Sequence, residues 1–168
     1  MNSIEIQRLA TGRDRREFIR FPWKIYREYP NWVPPLLMDR RKLMDTKKNP
    51  FYRHADAEFF LARRNSEIVG RIGAVVNHKN IGFFGFFESM NDQAVSDRLF
   101  LTARDWLKGR GVTAMRGPAS PSVNDEYGLL IDGFDLSPTV MMTYNPSYYI
   151  TLLESYGFKK AKDLYAYH

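Results

Sequence analysis

The segment Y-N-P-S-Y-Y-I-T-L-L-E-S-Y-G-F, residues 144–158, carries the clearest structural signal in this chain. Asn145 can cap a helix through its side-chain oxygen, and Pro146 suits a first helical turn. Gly157 can adopt the left-handed conformation that ends a helix. Between them, apolar residues recur at spacings of three and four: Tyr149, Leu152, Leu153 and Tyr156. The pattern predicts a strand at residues 139–142, a short amphipathic helix and a new strand after it.

A hairpin pattern lies upstream, at residues 58–77. Two apolar runs flank the polar turn Asn65-Ser66-Glu67, which predicts two antiparallel strands. A third strand is predicted at residues 82–88, a helix at residues 92–108 and a strand near residues 112–117. The predicted helix has these apolar residues on one side: Val95, Leu99, Ala103, Trp106 and Leu107. Strands and helices therefore alternate along the chain.

The N-terminal third predicts a strand at residues 3–9 and a helix at residues 14–28. The prolines of residues 29–35 mark a turn, because a residue before proline is pushed out of helical geometry. A short helix can resume at residues 36–43. No repeat or flexible linker interrupts the chain, so a single domain is expected over residues 1–168.

Two of these segments resemble the GCN5-related N-acetyltransferase superfamily. Its last helix carries an Asn, a Glu and a terminal Gly-Phe, which match Asn145, Glu154 and Gly157-Phe158 here, and its second central strand often begins as Ile68-Val69-Gly70 does. The order of elements is also similar over nearly the whole chain. The resemblance implies an α/β fold of the acyl-CoA N-acyltransferase type, with a bent mixed central β-sheet flanked by helices on both faces.

A closer resemblance is to a group of largely uncharacterised bacterial proteins with the acetyltransferase-like fold. It rests on the sequences R-E-F-I-R-F-P-W-K-I-Y-R-E-Y-P-N-W-V-P-P-L from Arg16, K-K-N-P-F-Y from Lys47 and R-G-P-A-S-P-S-V-N-D-E-Y-G-L-L-I-D-G-F-D from Arg116. Members of this group are often longer, which implies that the chain is either the N-terminal part of a longer protein or a short member of the group. They often carry extra residues at 77–82, where this chain has a tight connection.

The resemblance also implies a cofactor, acetyl-CoA or another acyl-CoA. Members of the family bind the pyrophosphate of this cofactor on backbone amides at the start of the central helix. The matching candidate cofactor-binding residues are Phe87, Ser89, Asn91, Asp92 and Gln93, together with Asn145. The family's glycine-rich loop is absent, and residues 87–94 contain two acids that compete with an incoming anion. This departure weakens the prediction of a CoA site.

The catalytic residues implied by the resemblance are a general base on a central strand and a tyrosine acid. Glu88 ends a predicted strand and is the candidate base, although it also suits a helix-start carboxylate. Many family members have a Tyr before the Glu of the last helix, where this chain has Leu153. Tyr144 and Tyr148 are the candidate substitutes for proton donation.

A long loop at residues 118–138 is the third candidate region, since loops of this length are usually functional. Asn124, Asp125 and Glu126 are predicted to face a cleft and to bind an amine substrate through their charge. The same residues also suit the cap of a turn.

Composition narrows the classes of protein. At 168 residues the chain is 44% hydrophobic and contains no cysteine, which indicates a globular domain without disulfides or thiolate chemistry. No apolar run spans a bilayer and no secretory signal begins the chain, so a cytoplasmic protein with no membrane partner is expected. The histidines, His54, His78 and His168, lack ligand spacing, and no metal site is predicted.

Positive charge is concentrated at the start of the chain. Residues 1–64 contain 15 Lys and Arg against 8 Asp and Glu, whereas residues 65–168 contain 10 against 11. Runs of positive charge usually form solvent-exposed surfaces, but they can also bind the phosphates of CoA or of a nucleic acid backbone. The aromatic residues among them recur at helical spacing, which favours a core role, so a nucleic-acid partner is not expected.

The favoured function is an acyl-CoA-dependent N-acyltransferase acting on an unknown amine, either a small molecule or a protein amino group. The alternative is a catalytically silent module of the same fold that binds an amine metabolite or a protein partner. The absent glycines and Leu153 favour the silent module, while the order of elements favours the enzyme. A homodimer is a further possible assembly.

Overall fold

The computed structural model describes residues 3–166, so His168 lies outside the described residues. The strands are β1 (Ile4–Arg8), β2 (Ala55–Arg64), β3 (Glu67–Asn77), β4 (Gly82–Ser89), β5 (Met115–Arg116), β6 (Ala119–Ser120) and β7 (Glu126–Tyr127). The helices are α1 (Gly12–Arg20), α2 (Pro22–Ile25), α3 (Leu37–Leu43), α4 (Gln93–Lys108) and α5 (Tyr148–Tyr156), with 3₁₀ turns at Tyr26–Glu28 and Pro50–Arg53. Within the described residues no helix is long and apolar enough to cross a membrane.

Five strands form one mixed sheet in the order β1-β2-β3-β4-β5. Neighbouring strands are antiparallel except β4 and β5, which are parallel. The predicted hairpin is present, because Asn65 and Ser66 both have positive φ, as a two-residue turn of the primed type requires. β6 and β7 form a separate antiparallel pair.

Helices cover both faces of the sheet, as the family resemblance implied. Alternation along β2 sends Phe60 and Ala62 to the face covered by α4 and α5. Phe59 and Leu61 point to the opposite face, where they pack with Phe18 of α1 and other buried residues. The buried residues that α4 contributes are Val95, Ser96, Leu99, Phe100, Ala103 and Leu107.

A β-bulge in β4 shapes the site described below. Arg71 pairs with Glu88 and Gly73 pairs with Gly85, so two residues of β4 oppose one residue of β3. Phe86 within the bulge has a φ of 50°, and its N–H donates to Ser120 Oγ at 2.8 Å. The bulge bends the strand, and β6 packs against it so closely that a Cβ on Gly85 would lie 1.7 Å from the Ala119 carbonyl oxygen.

The long N-terminal helix predicted at residues 14–28 is wrong as a single element. It consists of α1, α2 and a 3₁₀ turn, and the break falls at Pro22, whose ring supplies no N–H to continue the helix. The short helix predicted at residues 36–43 is present as α3.

Two strands predicted around the last helix are also wrong. Residues 139–142 form a turn in which Met142 N donates to the Thr139 carbonyl at 3.1 Å and Met141 has positive φ. Described residues 159–166 contain no strand. By contrast, Gly157 ends α5 with a φ of 107°, as predicted. The loop expected at residues 118–138 includes the pair β6 and β7, which its short apolar runs did not indicate.

Candidate active site

A cavity of about 100 Å³ lies at the end of β4, against α2 and the segments around residues 118–129 and 138–145. Its charged and hydroxyl-bearing lining includes Tyr26, Arg40, Arg71, Glu88, Glu126 and Tyr144. These six side chains come from separate segments between residues 26 and 144, and the fold brings them together.

Glu88 is the central carboxylate of the cavity, with 12% of its side chain exposed. The Tyr149 hydroxyl donates to its Oε2 at 2.7 Å, and the Tyr26 hydroxyl lies 2.9 Å from the same oxygen. The Tyr26 hydroxyl is also 3.1 Å from the Tyr144 carbonyl oxygen. Because a hydroxyl has one proton, Tyr26 can donate to only one of these acceptors at a time.

Arg71 supplies the counter-charge from the neighbouring strand. Its Nη2 is 3.5 Å from Glu88 Oε1, and its Nη1 donates to the Phe18 carbonyl at 2.7 Å. The guanidinium carbon also lies 4.8 Å from the centre of the Phe18 ring. Arg71 Nε is buried without a hydrogen-bond partner among the described residues. The Arg71 guanidinium is therefore held in place by Phe18, while its Nε makes no hydrogen bond to the described residues.

Burial raises the pKa of Glu88 above its ordinary value near 4.5, while the Arg71 charge and the two tyrosine hydroxyls oppose that rise. Burial and the Glu88 charge raise the pKa of both Tyr26 and Tyr149 well above the usual value. The tyrosines thus stay protonated as hydrogen-bond donors. A carboxylate with a raised pKa binds a proton more strongly, as a general base requires.

Arg40 and Glu126 form a second ion pair at the cavity, joining α3 to β7. Of the three residues predicted to bind an amine, Glu126 lines the cavity. Asp125 instead accepts a hydrogen bond from Ser122 at 2.7 Å, and the Asn124 N–H donates to the Ser122 hydroxyl at 3.1 Å. Asn124 and Asp125 therefore form a turn beside the cavity wall.

The start of α4 holds the predicted phosphate site. Asp92 Oδ1 accepts hydrogen bonds from Ala94 N at 3.0 Å and Val95 N at 3.4 Å, and its other oxygen is 2.8 Å from Arg64 Nη1. These amides are the donors that an incoming pyrophosphate would use. An anion could reach them only if the Asp92 carboxylate moved away, so the residues in this arrangement do not fit the family's phosphate contacts.

The other predicted cofactor contacts are arranged around this helix start. Phe87 lines the cavity and stacks on Phe100 with ring centres 4.6 Å apart. Ser89 is fully buried, and its N–H donates to the Tyr149 hydroxyl at 2.9 Å. Asn91 is exposed, while the Gln93 amide donates to Asp97 and to the Leu152 carbonyl of α5. Their role as cofactor contacts stays a prediction.

The tyrosines predicted as acids have different surroundings. The Tyr144 hydroxyl donates to the Phe134 carbonyl at 3.1 Å and the residue lines the cavity. The Tyr148 hydroxyl donates to the Ser89 carbonyl at 2.8 Å, and burial raises its pKa. Leu153 is buried in the core. Tyr144 is thus the predicted acid that faces the cavity.

Asn145 does not cap the last helix, which corrects the sequence prediction. The N-cap is Ser147, and buried Asn145 accepts from Leu130 N at 2.7 Å and donates to the Leu130 carbonyl at 3.2 Å. These bonds satisfy a loop backbone that would otherwise be buried unpaired. Asn145 thereby anchors the long loop to the start of α5.

Sequence reasoning missed Arg71, Tyr26 and Tyr149 as members of the site. Arg71 left a signal, because a charge inside the apolar run V-G-R-I-G-A-V-V of β3 must find a partner when buried. The two tyrosines left none, since each occupies an apolar helical position like an ordinary core residue.

Solved structures of N-acetyltransferases share this architecture. The aminoglycoside acetyltransferase meta-AAC0020, from an uncultured soil metagenomic sample and in complex with sisomicin, matches with a TM-score of 0.60 at 15% identity, over 98% of this chain and 94% of that one. Aminoglycoside N-acetyltransferase AAC(6')-Iy in complex with CoA matches with a TM-score of 0.57 at 12% identity, over 100% of this chain and 95% of that one. This chain has the GCN5-related N-acetyltransferase fold.

Two proteins are more similar in sequence to this chain than these solved structures are. It is 39% identical over 167 residues to a protein named bacterial ceramide synthase from Caulobacter vibrioides, covering 95% of this chain and 44% of that protein. It is 37% identical over 161 residues to protein YghO of Escherichia coli, covering 92% and 41% respectively. The chain therefore spans less than half the length of either relative. No protein-family model matches it.

Proposed function

We propose that this chain is an N-acyltransferase that joins an acyl group, delivered as a thioester, to a primary amine. The observation that carries the proposal is the buried carboxylate of Glu88 facing the cavity, held by Arg71 and two tyrosine hydroxyls. An amine is protonated in neutral water and must lose a proton before its nitrogen can attack a carbonyl. A buried carboxylate with a raised pKa is suited to take that proton.

In the proposed mechanism, Glu88 receives the proton of the acceptor ammonium while Arg71 holds the carboxylate in place. Glu126 also lines the cavity, in its ion pair with Arg40, and the acceptor ammonium would compete with the Arg40 guanidinium for this carboxylate. Tyr144, whose hydroxyl donates to the Phe134 carbonyl, would leave that bond to give its proton to the departing sulfur. An acyl-CoA would supply the activated thioester, as CoA does in the family, but we assign no phosphate contact to the start of α4.

We further propose that the acceptor is a long-chain amino alcohol. A ceramide is the amide of a fatty acid with such an alcohol, so the name of the 39% identical relative describes N-acylation of this class of amine. The structural neighbours carry names that also describe N-acetylation. Transfer to nitrogen is what both comparisons have in common.

The alternative is a silent module that binds an amine without transferring an acyl group. The occupied amides at the start of α4 favour it, because Asp92 takes the donors that would bind a donor molecule's phosphates. Such a module would bind the amino group of a metabolite or a protein partner in the cavity and release no thiol.

The deciding experiment offers the purified chain acetyl-CoA or palmitoyl-CoA together with sphinganine, and records both thiol release and the amide product by mass spectrometry. Amide formation that depends on sphinganine supports the enzyme. Sphinganine binding without amide, in protein shown to be folded by circular dichroism, would support the silent module. Glu58→Gln is the matched control for Glu88→Gln, since Glu58 lies on β2 of the same sheet, two strands from β4, and pairs with Arg8 away from the cavity.

A further inference from the structure

Exposed apolar residues are concentrated in two segments that also contribute residues to the cavity wall. Among the described residues, nine of the twelve large hydrophobic residues that are exposed lie in residues 33–38 and 123–142. Val140 is 91% exposed and Leu36 is 67% exposed. We call six of these residues the apolar rim: Val33, Leu36, Met38, Val140, Met141 and Met142. Proteins seldom expose so many apolar side chains close together unless that surface binds a protein, a membrane or a ligand.

The two halves of the apolar rim lie beside each other at the cavity. Val33 and Met142 line the cavity themselves, as do Pro35 and Pro138. The Asn31 side chain donates to the Phe134 carbonyl at 3.4 Å, which ties the first segment to the second. A molecule held by the rim would thus reach the cavity that contains Glu88.

Positive charge follows the first half of the rim. Arg41, Lys42, Lys47 and Lys48 are all exposed. The acids of the same stretch are Asp39 and Asp45, and Asp45 accepts hydrogen bonds from the backbone of residues 47 and 48. Asp132 and Asp135 are exposed on the second segment and oppose this charge. This surplus of cations follows the exposed Leu36 and Met38 directly in the chain, and apolar and basic side chains are combined in this way in segments that bind anionic lipid surfaces.

We propose that the apolar rim and the cations of residues 41–48 dock on an anionic phospholipid bilayer. This inference rests on the proposed function, since a long-chain amine resides in a bilayer. The apolar side chains enter the interface between headgroups and hydrocarbon, and the cations bind lipid phosphates. The cavity then opens toward the membrane, so the amine reaches Glu88 while its hydrocarbon chain stays out of water. Surface docking of this kind needs no membrane-spanning helix.

The test is partition of the purified chain onto vesicles, without any acyl donor or amine. Vesicles of phosphatidylglycerol mixed with phosphatidylcholine are compared with vesicles of phosphatidylcholine alone. The chain is expected to bind the anionic vesicles. Val140→Asp combined with Met141→Asp should lower its partition coefficient by at least about tenfold, because two carboxylates must then enter an apolar interface. Lys47→Gln and Lys48→Gln should each lower it about fivefold.

Leu164→Asp is the matched control, because Leu164 is 56% exposed outside the rim and its change should leave partition unaltered. Leu36→Asp provides a second rim variant, with circular dichroism verifying the fold of each. No binding to anionic vesicles, or equal binding by wild type and rim variants, would overturn the proposal. A dimer in light scattering that the rim variants abolish, without vesicle binding, would also overturn it and assign the rim to a second copy of the chain. Rim-dependent partition without acyl transfer would remove the proposed function and leave the docking surface standing.

Discussion

The end of β4 and the start of α4 each present a carboxylate, four residues apart in sequence. Glu88 is 12% exposed, faces the cavity and has a raised pKa because burial outweighs the Arg71 charge. Asp92 is 31% exposed at the helix start. Burial raises its pKa, but Arg64 and the two helix amides outweigh this, so its pKa is lowered.

The difference shows that the surroundings of a carboxylate decide its chemistry. Asp92 is bonded to amides that favour its charged form, so it stabilises α4 and holds its proton poorly. Glu88 is desolvated, so its proton affinity rises and it becomes a candidate base. The same comparison separates the carboxylate proposed as a base from the carboxylate that occupies the amides of the predicted phosphate site.

The largest effect is expected from removal of the Glu88 carboxylate, the proposed base. Glu88→Gln should lower the rate of acyl transfer by about 10²- to 10⁴-fold, the range typical of a lost general base. The measurement is the amide-forming rate with palmitoyl-CoA and sphinganine, with Glu58→Gln as the control that keeps the rate. A Glu88→Gln protein that transfers at the wild-type rate would rule Glu88 out as the base.

The next effect concerns the two arginine partners. Arg71→Met should lower the free energy of unfolding at neutral pH by about 3–5 kcal/mol, because it leaves a buried charge without its partner. Arg64→Met should cost only about 1 kcal/mol, since its pair with Asp92 is partly exposed to water, at 28% and 31% of the two side chains. Urea unfolding of both variants measures the difference. Equal losses would show that the Arg71 pair is no more desolvated than the Arg64 pair.

A smaller effect is expected from the helix cap itself. Asp92→Ala should lower the free energy of unfolding by about 1 kcal/mol, as removal of an N-cap usually does. Asp92→Asn should recover part of the loss, because an amide oxygen can still accept from Ala94 N and Val95 N. Thermal unfolding of the two variants checks this order, and an Asn variant less stable than the Ala variant would refute the capping role.

The smallest effect is the opposite pH dependence of the two carboxylates. The lowered pKa of Asp92 gives stability that is present above its unfolded value near 3.8 and is lost as the pH falls through the folded pKa. The raised pKa of Glu88 gives stability that is present below 4.5 and is lost as the pH rises through the folded pKa. Unfolding free energies are measured between pH 3 and 7 for wild type, Glu88→Gln and Asp92→Asn. The stability of wild type relative to Glu88→Gln should fall as the pH rises, and its stability relative to Asp92→Asn should increase, so the two differences have slopes of opposite sign. Slopes of the same sign would contradict the assigned environments.

Helices and strands that are specified by residues close together in the chain could be predicted from the sequence. The hairpin was predicted from its polar turn, the central helix from its apolar spacing and the end of the last helix from Gly157. Predictions were wrong where a partner was needed, since residues 139–142 have strand-like composition but turn at Met141 instead of pairing. The site followed the same division, because Glu88 was identified by its place at a strand end while Tyr26 and Tyr149 looked like core residues.

The sequence by itself determined the β2–β3 hairpin, the central helix α4, the end of α5 at Gly157 and the resemblance to the acetyltransferase fold, because these depend on periodicity and on turn residues close in the chain. Only the tertiary structure decided which carboxylate is buried, which arginine pairs with it and where the exposed apolar residues gather. Such features depend on desolvation and on contacts between residues far apart in sequence, such as Tyr26 with Glu88 and Arg40 with Glu126. Local pattern carries no information about those distances.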